Sequence, residues 1–317
     1  MIQFEKILLL NPPGENIYLR DYYCSHASKA HYYWGPYDLI ALSGVLKNYF
    51  ELAALDAMQH RLTPDETIER VLEINPDAII FLTGAVSFVE DFALMRQISE
   101  KCERKIHIIG TGDCLLAEGD KFFAEYSFLD AAILSFISDD IVKYLKGETG
   151  PFNHISFRKS DGGIEKGGLQ FPKEEFYIPI PRYDIFPFKQ YRIPHGLRLP
   201  YAGIITDYGC PFHCDYCIGG ELGFRLRNLE NVLEEMRELK RLGVRELWIK
   251  DLTFGVHKKR TQELLRRMRD EEFNFTWVCL SRVNVLDEEL LMEMKAAGCH
   301  TIQLGIESAS EELLEQY

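Results

Sequence analysis

The sequence predicts an α/β chain: a doubly wound parallel sheet first, then strands and helices arranged as part of a (β/α) barrel. Three observations predict it. Short, near-continuously apolar runs alternate with helix-period segments over residues 1–150, the pattern of parallel strands covered on both faces. Six of the thirteen prolines, at 172, 179, 181, 187, 194 and 200, crowd into residues 171–200. Beyond Tyr201 the alternation resumes, and two similar junctions, Leu242-Gly243-Val244 and Ala297-Gly298-Cys299, lie 55 residues apart. That distance is two βα units of about 27 residues, a repeat of barrel type.

In the first part the expected strands are Lys6–Leu10, Glu51–Asp56, Ala78–Thr83, Lys105–Gly110 and Ala131–Ser135. The helices between and after them are expected near Asp38–Tyr49, Pro64–Ile74, Phe88–Cys102, Leu115–Tyr126 and Asp139–Lys146. Ligands of such a sheet sit at the carboxyl ends of its strands. Here those ends are Asn11–Gly14, Asp56–His60, Thr83–Ser87 and Gly110–Asp113. Residues 154–169 read as a hairpin, with Ser160-Asp161-Gly162-Gly163 at its turn. The proline-dense stretch reads as an extended linker. The expected organisation is therefore 1–150, a hairpin and linker over 151–200, and a second domain over 201–317.

In that second domain Ala202–Thr206, Val244–Ile249, Phe275–Leu280 and His300–Gly305 are the expected strands. One helix carries Leu229, Val232, Leu233, Met236, Leu239 and Leu242 on one face, the next runs through Leu264, Leu265 and Met268, and a third is capped by Asp287. Four strands do not close a barrel. The barrel is thus expected to be truncated after its fourth strand, with the chain a fragment or its open edge covered by something else.

A net charge of −13 repels phosphate backbones, so nucleic-acid binding driven by charge is disfavoured, while a short local contact to RNA stays open. No run approaches the roughly 18 apolar residues of a membrane span. Ile7–Leu10 is cut off by Asn11-Pro12-Pro13-Gly14 and reads as a buried strand rather than a signal peptide. The expected compartment is the cytoplasm, where thiols stay reduced. Eight scattered cysteines do not make a disulfide scaffold, yet Cys210, Cys214 and Cys217 fall within eight residues.

The segment Cys210-Pro211-Phe212-His213-Cys214-Asp215-Tyr216-Cys217 is a C-x3-C-x2-C loop directly after a barrel's first strand. Zinc takes four ligands and usually paired C-x2-C arms; only one such arm exists, and His213 is crowded by its neighbours. Three thiolates suit a 4Fe-4S cluster, whose fourth iron stays open. Cys279 and Cys299 read as packing thiols.

This loop resembles the signature of the radical S-adenosylmethionine (SAM) superfamily, in which an aromatic, here Tyr216, precedes the last cysteine. Gly219-Gly220, Arg225, Arg227, Lys250-Asp251-Leu252-Thr253-Phe254 and Gly305-Ile306-Glu307-Ser308 extend the match. The whole is similar to the branch carrying an N-terminal, flavodoxin-like cobalamin-binding domain. The resemblance implies a 4Fe-4S cluster on Cys210, Cys214 and Cys217, SAM as co-substrate and cobalamin in the first domain. It implies reductive cleavage of SAM to a 5′-deoxyadenosyl radical. Tyr216 would lie near the adenine or simply pack the loop, and Glu307 would accept from ribose hydroxyls. Arg282 would pair with the methionine carboxylate or form a surface ion pair. Asp251 would meet the methionine amine or the substrate.

For cobalamin the matching positions are Pro12, Pro13, Thr83, Gly84, Ser87, Gly110, Thr111 and Gly112, although any doubly wound domain needs small residues at such turns. Two departures stand out. The Asp-x-His-x-x-Gly motif is absent, since Ala57-Met58-Gln59-His60 follows Asp56, and Ser135-Phe136 replaces the Gly-Glu of relatives. The aromatic loop Tyr22–Tyr37 would cap a cofactor, line a channel or pack over the sheet; metal binding by Cys24, His26 and His31 is a weaker reading. The commonest chemistry for this pairing of domains is methylation of an unactivated carbon. Two rivals are cyclisation or rearrangement of a lipid, tetrapyrrole or natural product with a relic cobalamin domain, and a non-catalytic iron–sulfur scaffold. Expected partners are a small-molecule or peptide substrate and an electron donor such as flavodoxin or ferredoxin.

Overall fold

The computed structural model describes residues 4–169 and 174–314; Pro172 and Tyr317 lie outside them. The chain divides into two units, Met1–Gln170 with Pro181–Tyr191, and Phe171–Ile180 with Arg192–Tyr317.

The first unit is built on a seven-stranded sheet. Its order is Glu51–Asp56, Lys6–Asn11, Ala78–Leu82, His107–Thr111, Ala131–Ile133, Ile155–Arg158, Ile164–Glu165. The first five run parallel in the order 2-1-3-4-5 of doubly wound folds. Leu8, Leu10, Ile79, Phe81 and Ile108 pack beneath Ile68, Val71, Phe92, Met95 and Phe122 of the helices on one face. The helix Tyr37–Leu46 is buried at all ten positions, as expected of one that is apolar around most of its circumference.

Two expected boundaries change. The 154–169 hairpin is not a connector: Ile155–Arg158 pairs antiparallel with Ala131–Ile133 and so covers what would be an open sheet edge. The proline-dense stretch is not a free spacer either. Its Pro181–Tyr191 part belongs to the first unit and buries Tyr183, Phe186, Phe188 and Tyr191, while Phe176 and Ile178 are buried in the second. Apolar side chains between the prolines override the linker reading, because burying each aromatic stabilises by about 1.5–3 kcal/mol.

The carboxyl ends of the central strands are tied by one guanidinium. Arg20 donates to Asn11 Oδ1 at 2.9 Å, the Pro12 carbonyl at 3.0 Å, Ser87 Oγ at 2.9 Å and Asp91 Oδ1 at 2.6 Å. Asp91 also accepts from Thr83 Oγ1 at 2.9 Å and Ser87 Oγ at 2.7 Å. The two charged side chains are 1% and 0% exposed, and burial pushes the Asp91 carboxyl upward despite its partner.

The second unit carries four parallel strands in sequence order, Tyr201–Ile204, Glu246–Ile249, Thr276–Arg282 and Cys299–Gly305. The helices Leu229–Arg241, Lys258–Asp270 and Glu288–Ala296 follow the first three strands. This is the expected barrel portion, with strand ends displaced by a residue or two. Gly243 and Gly298, both at positive φ, stop two of the helices. Burial falls along the last strand and just past it: Leu304 is 42% and Ile306 67% exposed. Among the described residues no helix is long and apolar enough to cross a membrane.

Removing one partner of a buried ion pair strands the other charge. Arg20→Met is expected to cost about 3–5 kcal/mol, read as a lower urea midpoint by far-UV circular dichroism. Adding Asp91→Leu to that variant should recover part of the loss. An unchanged midpoint in Arg20→Met would show that the pair does not hold the strand ends.

Candidate functional site

The cysteine loop leaves the first strand of the second unit at Thr206. Asp251, just past the second strand, accepts from the Thr206 amide at 2.6 Å, the Asp207 amide at 3.2 Å and the Thr206 hydroxyl at 2.5 Å. Asp207–Tyr208 then pairs antiparallel with Arg225–Leu226, closing the loop at its base. At Gly209, φ is +74°, and an added Cβ would lie 1.9 Å from the Gly223 carbonyl oxygen, so only glycine fits this crossing. Higher up, the Cys210 amide donates to the Gly219 carbonyl at 3.0 Å and the Cys217 amide to the Cys214 carbonyl at 2.9 Å.

Each thiol of the loop meets a different polar group. Cys210 Sγ lies 3.5 Å from Thr253 Oγ1. Cys214 Sγ accepts from Arg282 Nη1 at 3.3 Å. Cys217 Sγ accepts from the Gly219 amide at 3.3 Å. All three are free thiols, with Cys217 the most open to solvent. Among the described residues, no three His, Cys, Asp or Glu side chains stand at the spacing of a single metal ion.

The other expected site residues divide. Arg282 lies 4.2 Å above the Phe212 ring, beside the thiols. Tyr216 is 58% exposed, and its phenol is pushed up chiefly by its hydrogen bond to Glu307. Glu307 follows the fourth strand at φ +60° and is exposed. Asp251 does not face the same space: it is 0% exposed and occupied by the Thr206–Asp207 turn. Burial pushes its carboxyl up to about 6. Asp207 beside it is raised well above the carboxylate range by burial and then by Asp251. One Asp207 oxygen finds no partner among the described residues.

Sequence reasoning gave four contributors no individual role, although Phe212, Lys250 and Thr253 lie in the segments that carry the resemblance. Asp207, Thr253 and Phe212 carried no signal of their own. Lys250 did: alternation along the second strand puts it on the face of Glu246 and Trp248, opposite Asp251. It is 1% exposed, with its ammonium 4.0 Å from the centre of the Trp248 ring.

In the first unit the strand-end candidates come together but close on the chain itself. Pro12 and Pro13 offer their carbonyls to Arg20, and Thr83 and Ser87 donate to Asp91. Gly84 lies against Ser25 and Gly110 against Leu115. Thr111 donates to the Ile133 carbonyl at 3.3 Å. Gly112, at φ +136°, sits where an added Cβ would be 1.9 Å from the Thr83 carbonyl oxygen. Of the aromatic loop, Tyr22, Tyr33, Trp34 and Tyr37 are buried. Phe136 packs edge-on against Tyr22 and Tyr37 at 5.1 and 5.8 Å. Asp56 accepts from Tyr33 at 2.7 Å, Tyr191 at 2.8 Å and Asn11 at 3.0 Å. Beside these turns a cavity of about 590 Å³ opens between Pro13–Ile17, Ala57–Pro64 and the helix carrying Glu90 and Leu94.

Residues 204–317 match the family model described as the Radical SAM superfamily. Among curated proteins, an uncharacterized methyltransferase of Pyrococcus horikoshii is 27% identical, the match covering 98% of this chain and 67% of that protein. The anaerobic magnesium-protoporphyrin IX monomethyl ester cyclase of Rubrivivax gelatinosus is 23% identical, over 88% of this chain and 52% of the other. Among solved structures, the radical SAM methyltransferase TsrM of Kitasatospora setae, with cobalamin and a 4Fe-4S cluster bound, superposes with a TM-score of 0.71 at 18% identity, covering 98% of this chain and 62% of that one. OxsB, a cobalamin-dependent SAM radical enzyme with aqua-cobalamin bound, gives 0.75 at 17% identity, over 99% and 46%. At such identity the structures show a shared fold. This chain spans about half to two thirds of the length of the relatives it matches.

The buried acids give a pH test. A carboxyl whose folded-state pKa is raised holds a proton that the unfolded chain gives up near pH 4. Its stabilisation is therefore lost as pH climbs from there through the folded value. Asp207→Asn removes that penalty. It should melt about 2–4 °C above the parent chain at pH 8, with the gap closing toward pH 4. A gap that is constant or inverted with pH would rule out Asp207 as a raised acid.

Proposed function

From a chain whose residues 204–317 form a radical SAM domain, we propose an enzyme that assembles a 4Fe-4S cluster on Cys210, Cys214 and Cys217 and acts with SAM. The observation that carries this reading is the loop itself: three thiols within eight residues, each beside a polar N–H or O–H group, on a turn pinned by Asp251, with the Tyr216 phenol also bonded to Cys214. Three thiolates leave one iron of such a cluster open, and the N–H and O–H groups on the sulfurs suit thiolate ligands. When bound, the cluster supplies the electron that cleaves SAM.

The chain's own residues supply position. Asp251 and Gly209 fix the loop, and Tyr216 with Glu307 offers a phenol and a carboxylate at the solvent side for the nucleoside. Buried Lys250 lies over the Trp248 ring and holds that face of the sheet. Asp251 is assigned a positioning role, because its oxygens are committed to the Thr206–Asp207 turn.

For the first unit the proposal includes cobalamin, at the strand-end face formed by Pro12, Pro13, Thr83–Ser87 and Gly110–Gly112. Fold likeness to two cobalamin-bound enzymes supports it. The small residues there are already used by the chain, so the contacts left for a corrinoid are the outer surface of these turns and the aromatic loop. After Asp56 only His60 is at hand. It is exposed, and no role toward the corrinoid is assigned to it. Methylation of an unactivated carbon of a small molecule or peptide is the proposed reaction, fed by a flavodoxin- or ferredoxin-type donor. Likeness to a cyclase over 88% of the chain favours ring formation as a second reading.

Anaerobically reconstituted protein is expected to hold about four iron and four sulfide per chain. Cys210→Ala, Cys214→Ala and Cys217→Ala should each abolish the cluster, and Cys279→Ala, a buried thiol elsewhere in the sheet, should keep it. Zinc that iron cannot displace would end the enzyme reading. With SAM and reductant, S-adenosylhomocysteine together with 5′-deoxyadenosine supports methyl transfer, whereas 5′-deoxyadenosine alone supports the second reading. Bound corrinoid should show spectra unaltered by His60→Ala; failure of hydroxocobalamin to bind would remove the methylation proposal and leave the cluster assignment standing.

A further inference from the structure

We propose that Arg282 is a charged donor to the Cys214 sulfur that sets the reduction potential of the cluster, rather than an anchor for the methionine carboxylate. The inference rests on the cluster assignment above and concerns only this chain's residues.

Arg282 is the last residue of the third strand, and that end is held firmly. The Phe254 amide donates to the Leu280 carbonyl at 2.9 Å, and Ser281 Oγ donates to the Phe254 carbonyl at 2.7 Å. From this fixed point the guanidinium reaches back over the loop. Its Nη1 stands 3.3 Å from Cys214 Sγ, and its carbon lies 4.2 Å from the centre of the Phe212 ring. A cation held over an aromatic face and directed at one acceptor is pre-organised, since two contacts hold it in place.

The three sulfurs are not equivalent. Cys217 receives a neutral backbone amide and Cys210 a neutral hydroxyl. Of these three contacts only the one at Cys214 is charged, and a guanidinium does not lose its proton in proteins. Reduction by one electron adds negative charge to the cluster and its thiolates. A fixed cation in contact with one thiolate favours that more negative state, so it raises the potential. Its charge also falls on the cluster whether or not SAM is bound. With Nη1 committed to Cys214 Sγ, the guanidinium has one donor fewer to offer a carboxylate.

The test compares the parent chain, Arg282→Gln and Arg282→Lys after anaerobic reconstitution. Iron content, a redox titration followed by electron paramagnetic resonance, and the SAM dissociation constant are measured for each. Iron content should be equal in all three. Arg282→Gln keeps an N–H donor without the charge, and its reduced-to-oxidised ratio at a fixed potential should fall about tenfold, or about 59 mV for one electron. Arg282→Lys, which keeps the charge but not the planar guanidinium, should fall by less. SAM binding should change less than twofold. An unshifted potential with SAM binding weakened tenfold would overturn the inference and make Arg282 the carboxylate anchor. Loss of the cluster from both variants would also overturn it, by making Arg282 an assembly residue. A parent chain that takes up no iron fails at the first measurement, which identifies the cluster assignment itself as the fault.

Discussion

Everything at the candidate site hangs from the contact between Asp251 and the backbone of Thr206 and Asp207. Strands of a parallel sheet end in unpaired amides, and a loop leaving there is free to start in many directions. One carboxylate that accepts two successive amides and a hydroxyl removes that freedom. Arg227 continues the same work from the other side of the loop, its amide donating to the Thr206 carbonyl at 3.1 Å and its fully buried guanidinium paired with Glu235. The loop between these clamps then has its base fixed at both ends. Its cysteines inherit that position. The arrangement has a cost, seen in the raised acids Asp251 and Asp207: charge is held away from water so that the thiols outside it can be placed.

The first unit solves a similar problem with a different sign of charge. There a buried cation, Arg20, gathers the carbonyls and carboxylate at the strand ends. Asp56, fully buried and pushed upward by that burial, gathers two phenols and an amide. Both hubs lie where a doubly wound sheet offers its ligand crevice. The strand ends are consequently stiff, and their glycines serve the chain's own close approaches. A large ligand would meet the outer surface of these hubs, beside the adjoining cavity.

Most of the fold was legible because parallel strands and amphipathic helices announce themselves by period. The strand from Lys6 was expected to end at Leu10 and ends at Asn11; the strand expected from Phe275 to Leu280 runs from Thr276 to Arg282. What escaped was short or distant. The two-residue ribbon Asp207–Tyr208 with Arg225–Leu226 has no periodicity to detect. The proline-dense stretch was misread because proline spacing says nothing about whether the aromatics between prolines find a core. At the candidate site, the three cysteines were singled out by spacing alone. The inward turn of Asp251 was legible in principle, since Glu246, Trp248 and Lys250 alternate with Leu247, Ile249 and Asp251 along one strand. The approach of Arg282 to Cys214 was not, because 68 residues separate them and only the sheet brings them together.

This division between what is clamped and what is open bears on how the site is used. Asp251 and Lys250 are sealed and fixed before any ligand arrives. Tyr216, Cys217 and Glu307 stand in solvent, on a loop and at the end of the last described strand. Sealed groups lose little entropy when a ligand binds, so they set geometry; exposed groups must be ordered by the ligand they hold. A phenol and a carboxylate that already hydrogen-bond each other reduce that cost, because one contact pre-orders both. The rigid half of the site therefore lies at the sheet and at the base of the loop, where Asp251 and Lys250 are buried. The adaptable half lies at the rim, at Tyr216, Cys217 and Glu307.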